Sequence, residues 1–311
     1  MPRPFSPAFT AQPPRGKFAR IAAAMFGQQR DCLLCPEDRS LTGKLAVVTG
    51  GNRGIGLEIT KGLAFRGADV IVAARGGQDT ASLCAEIGRA SGREIGFVRL
   101  DLADKSSIAA AAKKIEQGLS GRRIDVLCAN AGISATTWRQ NREGFELCYA
   151  VNCLGHHRLF SAFLGNGSLR NGARIVFTTG DIYCLAADCT EDYHFHRRGI
   201  GAYARSKLGN IWQVAEMSHR YPQFAFFAVH PGVVATELEG GMAGLVGFAK
   251  RRLFISPELG AQASLIAASQ QLPTGSYLHA KLGLMQLEPH DIARNKALSA
   301  RFWDNLCKNT W

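Results

Sequence analysis

What this 311-residue chain lacks first is a long hydrophobic run. Its longest apolar stretches, near 240–249 and 261–268, fall short of the roughly 18–20 residues that cross a bilayer. No transmembrane helix is expected. Charged residues are few, at 20%, beside 46% hydrophobic residues, the balance of an ordinary globular protein. Acidic side chains are the scarcer sign: 25 Asp and Glu stand against 37 Lys and Arg, for a formal charge of +12. Such an excess suits nucleic acid, an acidic membrane or an anionic ligand. The basic residues are scattered, however, with the densest cluster at Lys250-Arg251-Arg252 and no basic stripe interleaved with aromatics. A nucleic-acid groove is therefore not expected. The nine cysteines are not arranged in pairs at zinc spacing. Cys32 and Cys35 form one C-x-x-C without a second, which reads as two ordinary thiols. Cys84, Cys128, Cys148 and Cys153 lie in apolar stretches, where free thiols act as small hydrophobes. That usage points to a reducing, cytoplasmic setting.

No acidic residue precedes Asp31, and residues 1–40 are rich in proline and arginine. A short amphipathic helix is expected over 18–26, and nothing resembles a secretory apolar core. The segment reads as a flexible or docked N-terminal arm. From residue 41 the pattern turns regular. Apolar strands are expected at 44–49, 69–74, 95–100, 124–129, 174–179 and 224–230. Helices are expected at 54–67, 106–118, 145–163 and 202–220. Near-continuous apolar strands alternating with helices indicate a parallel sheet covered on both faces. The fold expected is therefore α/β, a doubly wound parallel sheet of the Rossmann kind. It forms a single domain over 41–311 with the arm at 1–40. No internal repeat or linker divides it.

The turn after the first of these strands reads Thr49-Gly50-Gly51-Asn52-Arg53-Gly54-Ile55-Gly56. Gly50 permits a tight exit from the strand, Gly54 lets backbone approach a pyrophosphate, and Gly56 lets the helix lie close to the sheet. The helix that starts there offers unpaired N–H groups and a partial positive charge to phosphates. The spacing resembles the T-G-x-x-x-G-x-G of the short-chain dehydrogenase/reductase family. An acidic residue at the end of the second strand would repel a 2′-phosphate, but this chain has Ala73-Ala74-Arg75. Arg75, with Arg53 on the other side, can pair with that phosphate. NADP(H) is therefore favoured, with NAD(H) the alternative. The resemblance extends to Asp101-Leu102, which implies an adenine contact, and to Ala129-Asn130-Ala131-Gly132, with alanine replacing the family's first asparagine.

Tyr203 and Lys207, four apart on an expected helix, share one face. A free phenol ionises near pH ~10, and a neighbouring ammonium favours the phenolate. The resemblance implies that Tyr203 exchanges a proton with the substrate oxygen while Lys207 also holds the nicotinamide ribose. It further implies that Asn152 anchors a relay water. In His230-Pro231-Gly232-Val233-Val234-Ala235-Thr236, the backbone around Pro231, Gly232 and Val234 and the Thr236 hydroxyl would hold the carboxamide. One departure stands out. The family places a serine near the end of the fifth strand, and here Thr178-Thr179-Gly180-Asp181 puts glycine at that position. A one-residue slip lets Thr179 supply the hydroxyl, with Thr178 and Asp181 as lesser candidates.

An insertion over 182–201 carries Cys184, Asp188, Cys189, Glu191, Asp192, His194 and His196 without tight metal-ligand spacing, so it reads as a loop at the substrate mouth. No metal site is expected. Its length, the H-P-G-V-V turn and the C-terminal Ser299-Ala300-Arg301-Phe302-Trp303 are similar to the retinol-dehydrogenase-like branch. The segment 238–257 falls at the family's substrate lid. Met242, Leu245, Val246, Phe248 and Leu253 make it apolar, and its basic cluster leaves peripheral membrane contact open. What this implies is an oxidoreductase, of carbonyl-reductase type, acting on a small lipophilic alcohol, ketone or aldehyde, and a homo-oligomer. The alternative is a non-catalytic NADP(H)-binding sensor or scaffold with a degraded site.

Overall fold

The computed structural model describes residues 2–25, 27–38, 40–77, 79–134, 137–189, 200–234 and 254–311. Three two-residue strands lie in the arm: β1 (Arg3–Pro4), β2 (Thr10–Ala11) and β3 (Leu33–Leu34). Between them run helices α1 (Lys17–Met25) and α2 (Gln28–Asp31). The main sheet then builds from β4 (Leu45–Thr49), β5 (Asp69–Ala74), β6 (Ile95–Arg99), β7 (Ile124–Ala129), β8 (Leu169–Thr178) and β9 (Ala225–His230). It closes with β10 (Ser276–His279) and β11 (Gly283–Met285). The connecting helices are α3 (Gly54–Phe65), α4 (Thr80–Ser91), α5 (Lys105–Gly118), α6 (Leu147–Tyr149), α7 (Gly155–Gly165) and α8 (Ile200–Arg220). After β9 come α9 (Pro257–Ser269) and α10 (Lys296–Lys308).

The strand order is β2-β11-β10-β9-β8-β7-β4-β5-β6. Each pairing is parallel except β10 with β11. The order reverses at β4, and there the ends of β4 and β7 open a crevice at the carboxyl edge. Alternation along each strand sends side chains to both faces. Leu45 and Val47 join one core with α5, α7, α8 and α10, while Ala46 and Val48 join the other with α3 and α9. Both faces are dry, which is why the strands read as unbroken apolar runs.

The chain forms the expected doubly wound sheet, with differences at its margins. Strand β8 begins at Leu169 and ends at Thr178, leaving Thr179 just beyond it. The sequence did not announce α4, α9, α10, β10 or β11. The long helix expected at 145–163 runs over 147–165 but is broken by a π-helical turn at Ala150–Leu154.

The arm extends the sheet and also reaches the carboxyl edge. Strand β2 lies beside β11, and Leu33 N–H donates to Ala280 O at 2.7 Å. From α1, Arg20 is 5% exposed and donates to Asp291 Oδ2 at 2.7 Å, with Asp181 Oδ1 at 3.5 Å and the Tyr183 ring centroid 4.8 Å away. Removing one partner of a buried pair leaves the other charge uncompensated, at a cost of about 3–5 kcal/mol. Arg20→Ala should therefore lower unfolding stability in urea by about that much. A loss below about 1 kcal/mol, the value of an exposed pair, would show that the arm does not dock in solution.

Candidate active site

The glycine turn is built as its spacing requires. Gly50 sits at φ 67°. A Cβ on Gly56 would stand 2.1 Å from the Gly50 carbonyl oxygen and 2.6 Å from Asn130 Nδ2, so no side chain fits there. Arg53 precedes α3 with no side-chain cap, leaving the first N–H groups of a 12-residue helix to a ligand. A cradle without room for a Cβ, beside an uncapped helix N-terminus, fits a pyrophosphate. Thr49 locks the far wall: its hydroxyl accepts from the backbone N–H of Asn130 and of Ala131, both at 3.0 Å, and Asn130 Nδ2 donates to Thr49 O at 3.1 Å. Gly132 follows, where a Cβ would lie 3.2 Å from Asn152 Oδ1 and 3.6 Å from Lys207 Nζ.

Around this cradle, Arg75 is exposed just after β5, and its guanidinium makes no hydrogen bond or ion pair among the described residues. Asn52 Nδ2 donates to Thr80 Oγ1 at 3.4 Å, and Ile55 is half-buried in the first turn of α3. Asp101 Oδ1 accepts from Ala103 N–H at 3.0 Å, and Leu102 is buried beneath it. After β9, Pro231 is buried, Gly232 takes φ 88° and Val234 bridges to Ile255. The arm holds this loop: Gln28 Oε1 accepts from Val233 N–H at 2.9 Å and Gln28 Nε2 donates to Val233 O at 3.1 Å. Thr236 and the lid residues 238–253 lie outside the described residues, as do Glu191, Asp192, His194 and His196. Asp188 pairs with Arg205 on α8.

Helix α8 carries the expected pair, Tyr203 and Lys207. Lys207 Nζ lies 5.3 Å from the Tyr203 ring centroid and donates to Thr178 O at 2.9 Å. Asn210, one turn on, donates to the same carbonyl at 3.1 Å. Burial lowers the Lys207 ammonium from the usual 10.5 to about 8. Asn152 is wholly buried within the π turn. Its Nδ2 donates to Ile133 O at 3.0 Å and to Ser206 Oγ at 2.9 Å, and its Oδ1 accepts from Ile133 N–H at 2.9 Å. Four residues on, His156 Nδ1 meets the Asn152 carbonyl at 3.1 Å while Nε2 meets Thr49 Oγ1 at 2.9 Å. Burial drops His156 to about 4, so the ring is neutral and its Nδ1 donates. His156, Ser206 and Asn210 tie Asn152 and Lys207 to the two sides of the crevice, and sequence reasoning missed all three. Their positions at i+4 and i+3 from the named residues were the available signal.

Thr179 departs from expectation. It is 2% exposed and its hydroxyl donates to Lys207 O at 2.7 Å, so its proton serves the α8 backbone and is not offered to a substrate. Asp181, the lesser candidate, accepts from Tyr277 at 2.5 Å and faces Arg20. Cys32 and Cys35 are buried, and burial pushes the Cys32 thiol up to about 11.

Fold and site together define an oxidoreductase that interconverts alcohol and carbonyl groups. The short chain dehydrogenase family model matches residues 44–243, and the chain belongs to that family. Retinol dehydrogenase 13 of Mus musculus is 31% identical over 286 residues, covering 86% of this chain and 84% of that protein. Retinol dehydrogenase 11 of Homo sapiens is 31% identical over 299 residues, covering 92% of each. Among solved structures, an alcohol dehydrogenase from Thermococcus sibiricus complexed with 5-hydroxy-NADP aligns with TM-score 0.63 at 27% identity. It covers 77% of this chain and 96% of that one. The chain is thus similar to the retinol-dehydrogenase branch of its family. Among the described residues, no helix is long and apolar enough to cross a membrane.

With its folded-state pKa depressed, Lys207 makes the unfolded chain bind more protons between about pH 8 and 10.5, so its contribution to stability rises with pH through that window. Lys207→Met removes the buried ammonium and leaves the Thr178 carbonyl to Asn210. The variant should surpass wild type in urea midpoint at pH 7 and lose that advantage toward pH 10.5. An advantage independent of pH would contradict the burial argument.

Proposed function

We propose that this chain is an NADP(H)-dependent oxidoreductase for a lipophilic alcohol, aldehyde or ketone, with Tyr203 as acid and base. The pairing of Tyr203 with a buried Lys207 beside the glycine cradle is the observation that carries the reading. Gly50, Gly54, Gly56 and the first turn of α3 would hold the pyrophosphate. Arg75 and Arg53 would take the 2′-phosphate, and Asp101 with Leu102 the adenine. Asn130, Ala131 and Gly132, with the 231–236 loop, would hold the nicotinamide end. When bound, the nucleotide supplies or accepts the hydride.

The residues of the chain handle the proton and the charge. As a carbonyl is reduced, negative charge grows on its oxygen and Tyr203 delivers the proton there. The Lys207 ammonium stabilises the phenolate left behind. Asn152, fixed by Ile133 and Ser206, anchors the path by which Tyr203 is reprotonated. The exposed, unpaired Arg75 supports NADP(H), as does the 5-hydroxy-NADP in the Thermococcus sibiricus structure. A lipophilic substrate is supported by relatives named for retinol and by the apolar sequence of 238–257.

With NADPH and a panel of lipophilic aldehydes and ketones, wild type should turn over. Tyr203→Phe should lose at least about 10²-fold in kcat, the lower bound for a positioned proton donor, while fluorescence titration shows NADPH binding intact. Preference for small polar sugars would overturn the substrate class. A protein that only senses NADP(H) would show no turnover with any of them. Arg75→Glu should reverse the preference for NADPH over NADH in kcat/KM by at least about tenfold, a change of about 1.4 kcal/mol. An unchanged ratio would remove Arg75 from the 2′-phosphate site.

A further inference from the structure

The carbonyl oxygen that gains charge needs a hydrogen-bond donor besides Tyr203, and the segment at the end of β8 does not provide one. Gly180 has no side chain, and the Thr179 proton is spent on the Lys207 carbonyl. The Thr178 side chain shares by alternation the sheet face of Val176, covered by α9. Tyr203 and Lys207 ride on α8, which covers the Phe177 face. Asp181 is an acceptor already engaged by Tyr277 and Arg20.

Next to this gap stands His230, the last residue of β9. It is 5% exposed, and among the described residues neither ring nitrogen has a hydrogen-bond partner. A Cβ at Gly180 would lie 3.7 Å from His230 Nδ1, with Ile182 Cγ2 at 3.8 Å as its other near neighbour. The imidazole therefore borders the space that a side chain at 180 would fill. A buried ring with two idle nitrogens is costly unless it has work to do. Resting on the oxidoreductase reading above, we propose that His230 is a catalytic residue, donating a hydrogen bond from Nδ1 to the substrate oxygen in place of a hydroxyl at position 180.

The surroundings suit a neutral donor. Burial, helped by Arg20 and Lys207 against the pull of Asp181, holds His230 below the usual histidine value. A neutral imidazole carries one N–H and stabilises the alkoxide without surrendering its proton, so Tyr203 remains the acid. Asp181, His230 and His279 bring one ligand atom each within 4.8 Å of one another, which is also the outline of a metal site. His279 argues against that use. Its Nδ1 accepts from the Lys281 N–H at 2.9 Å, so its proton sits on Nε2, the atom 3.6 Å from Asp181 Oδ2. Metal ligation through Nε2 would move the ring's one proton to Nδ1, where it would face that backbone donor. Asp181 keeps its charge in this setting. Burial alone would raise it, but Arg20 and the Tyr277 hydrogen bond hold it below the ordinary carboxylate value.

The test uses the full chain with NADPH. His230→Phe should lower kcat by about 10²-fold or more, as for other lost oxyanion donors, while the Kd for NADPH stays within about twofold. The double variant His230→Phe with Gly180→Ser should recover at least about tenfold of that loss. Gly180 has extended backbone at φ −177° and no atom closer than 3.7 Å to the new Cβ, so serine fits. Retention of kcat in His230→Phe, or a loss that Gly180→Ser does not repair, would overturn the proposal. If His230→Phe fails to fold, ¹⁵N-histidine spectra of wild type decide. His230 Nδ1 should be protonated and should shift when an unreactive alcohol joins the NADPH complex. An unprotonated or unmoved Nδ1 would overturn it. If Tyr203→Phe abolishes turnover while His230→Phe does not, only the role of His230 falls. If wild type itself has no turnover, the oxidoreductase reading falls.

Discussion

The carbonyl of Thr178 accepts from Lys207 Nζ at 2.9 Å and from Asn210 Nδ2 at 3.1 Å, and this fixes a buried ammonium at the carboxyl edge of the sheet. A parallel strand that ends in a crevice leaves its last carbonyls without ladder partners, and they must be satisfied. Here the same donors that satisfy Thr178 also orient α8. The Thr179 hydroxyl closes the arrangement from the other side by donating to the Lys207 carbonyl at 2.7 Å. Strand and helix are thus cross-linked at the residue that must face a phenol, and Tyr203 inherits its position from that cross-link.

A second brace spans the crevice. Thr49, at the end of β4, joins the backbone of Asn130 and Ala131, and through His156 it reaches the Asn152 carbonyl. The π turn at Ala150–Leu154 matters here, because it displaces the helix backbone where Asn152 must reach Ile133 and Ser206. The two sides of the crevice are therefore not independent. A change at Thr49 is felt at Asn152, two side chains away.

Much of this was legible in the residues. The buried strands read as apolar runs because both faces of the sheet are dry, and the glycine turn read as a phosphate cradle because Gly56 leaves no room for a Cβ. That Tyr203 and Lys207 share one helix was legible from their spacing of four. Helix α4 was not, since Ser, Gly and Thr weaken its propensity and it buries only Thr80, Cys84 and Ile87. Strands β10 and β11, of four and three residues, are too short to show a period. Thr179 was misjudged for a different reason. Its one-residue offset from Gly180 aims the hydroxyl into α8, and no local pattern says where a hydroxyl beyond the end of a strand will turn. The cluster around Asp181 was hidden because its members come from residues 20, 181, 230, 277, 279 and 291.

The arm adds a consequence for synthesis. Gln28 meets Val233 205 residues downstream, and Arg20 meets Asp291 271 residues downstream. During synthesis Arg20 of α1 and Gln28 of α2 must therefore wait for partners made 161 to 271 residues later. The seating of α2 gives the loop after β9 the two amide bonds that hold it.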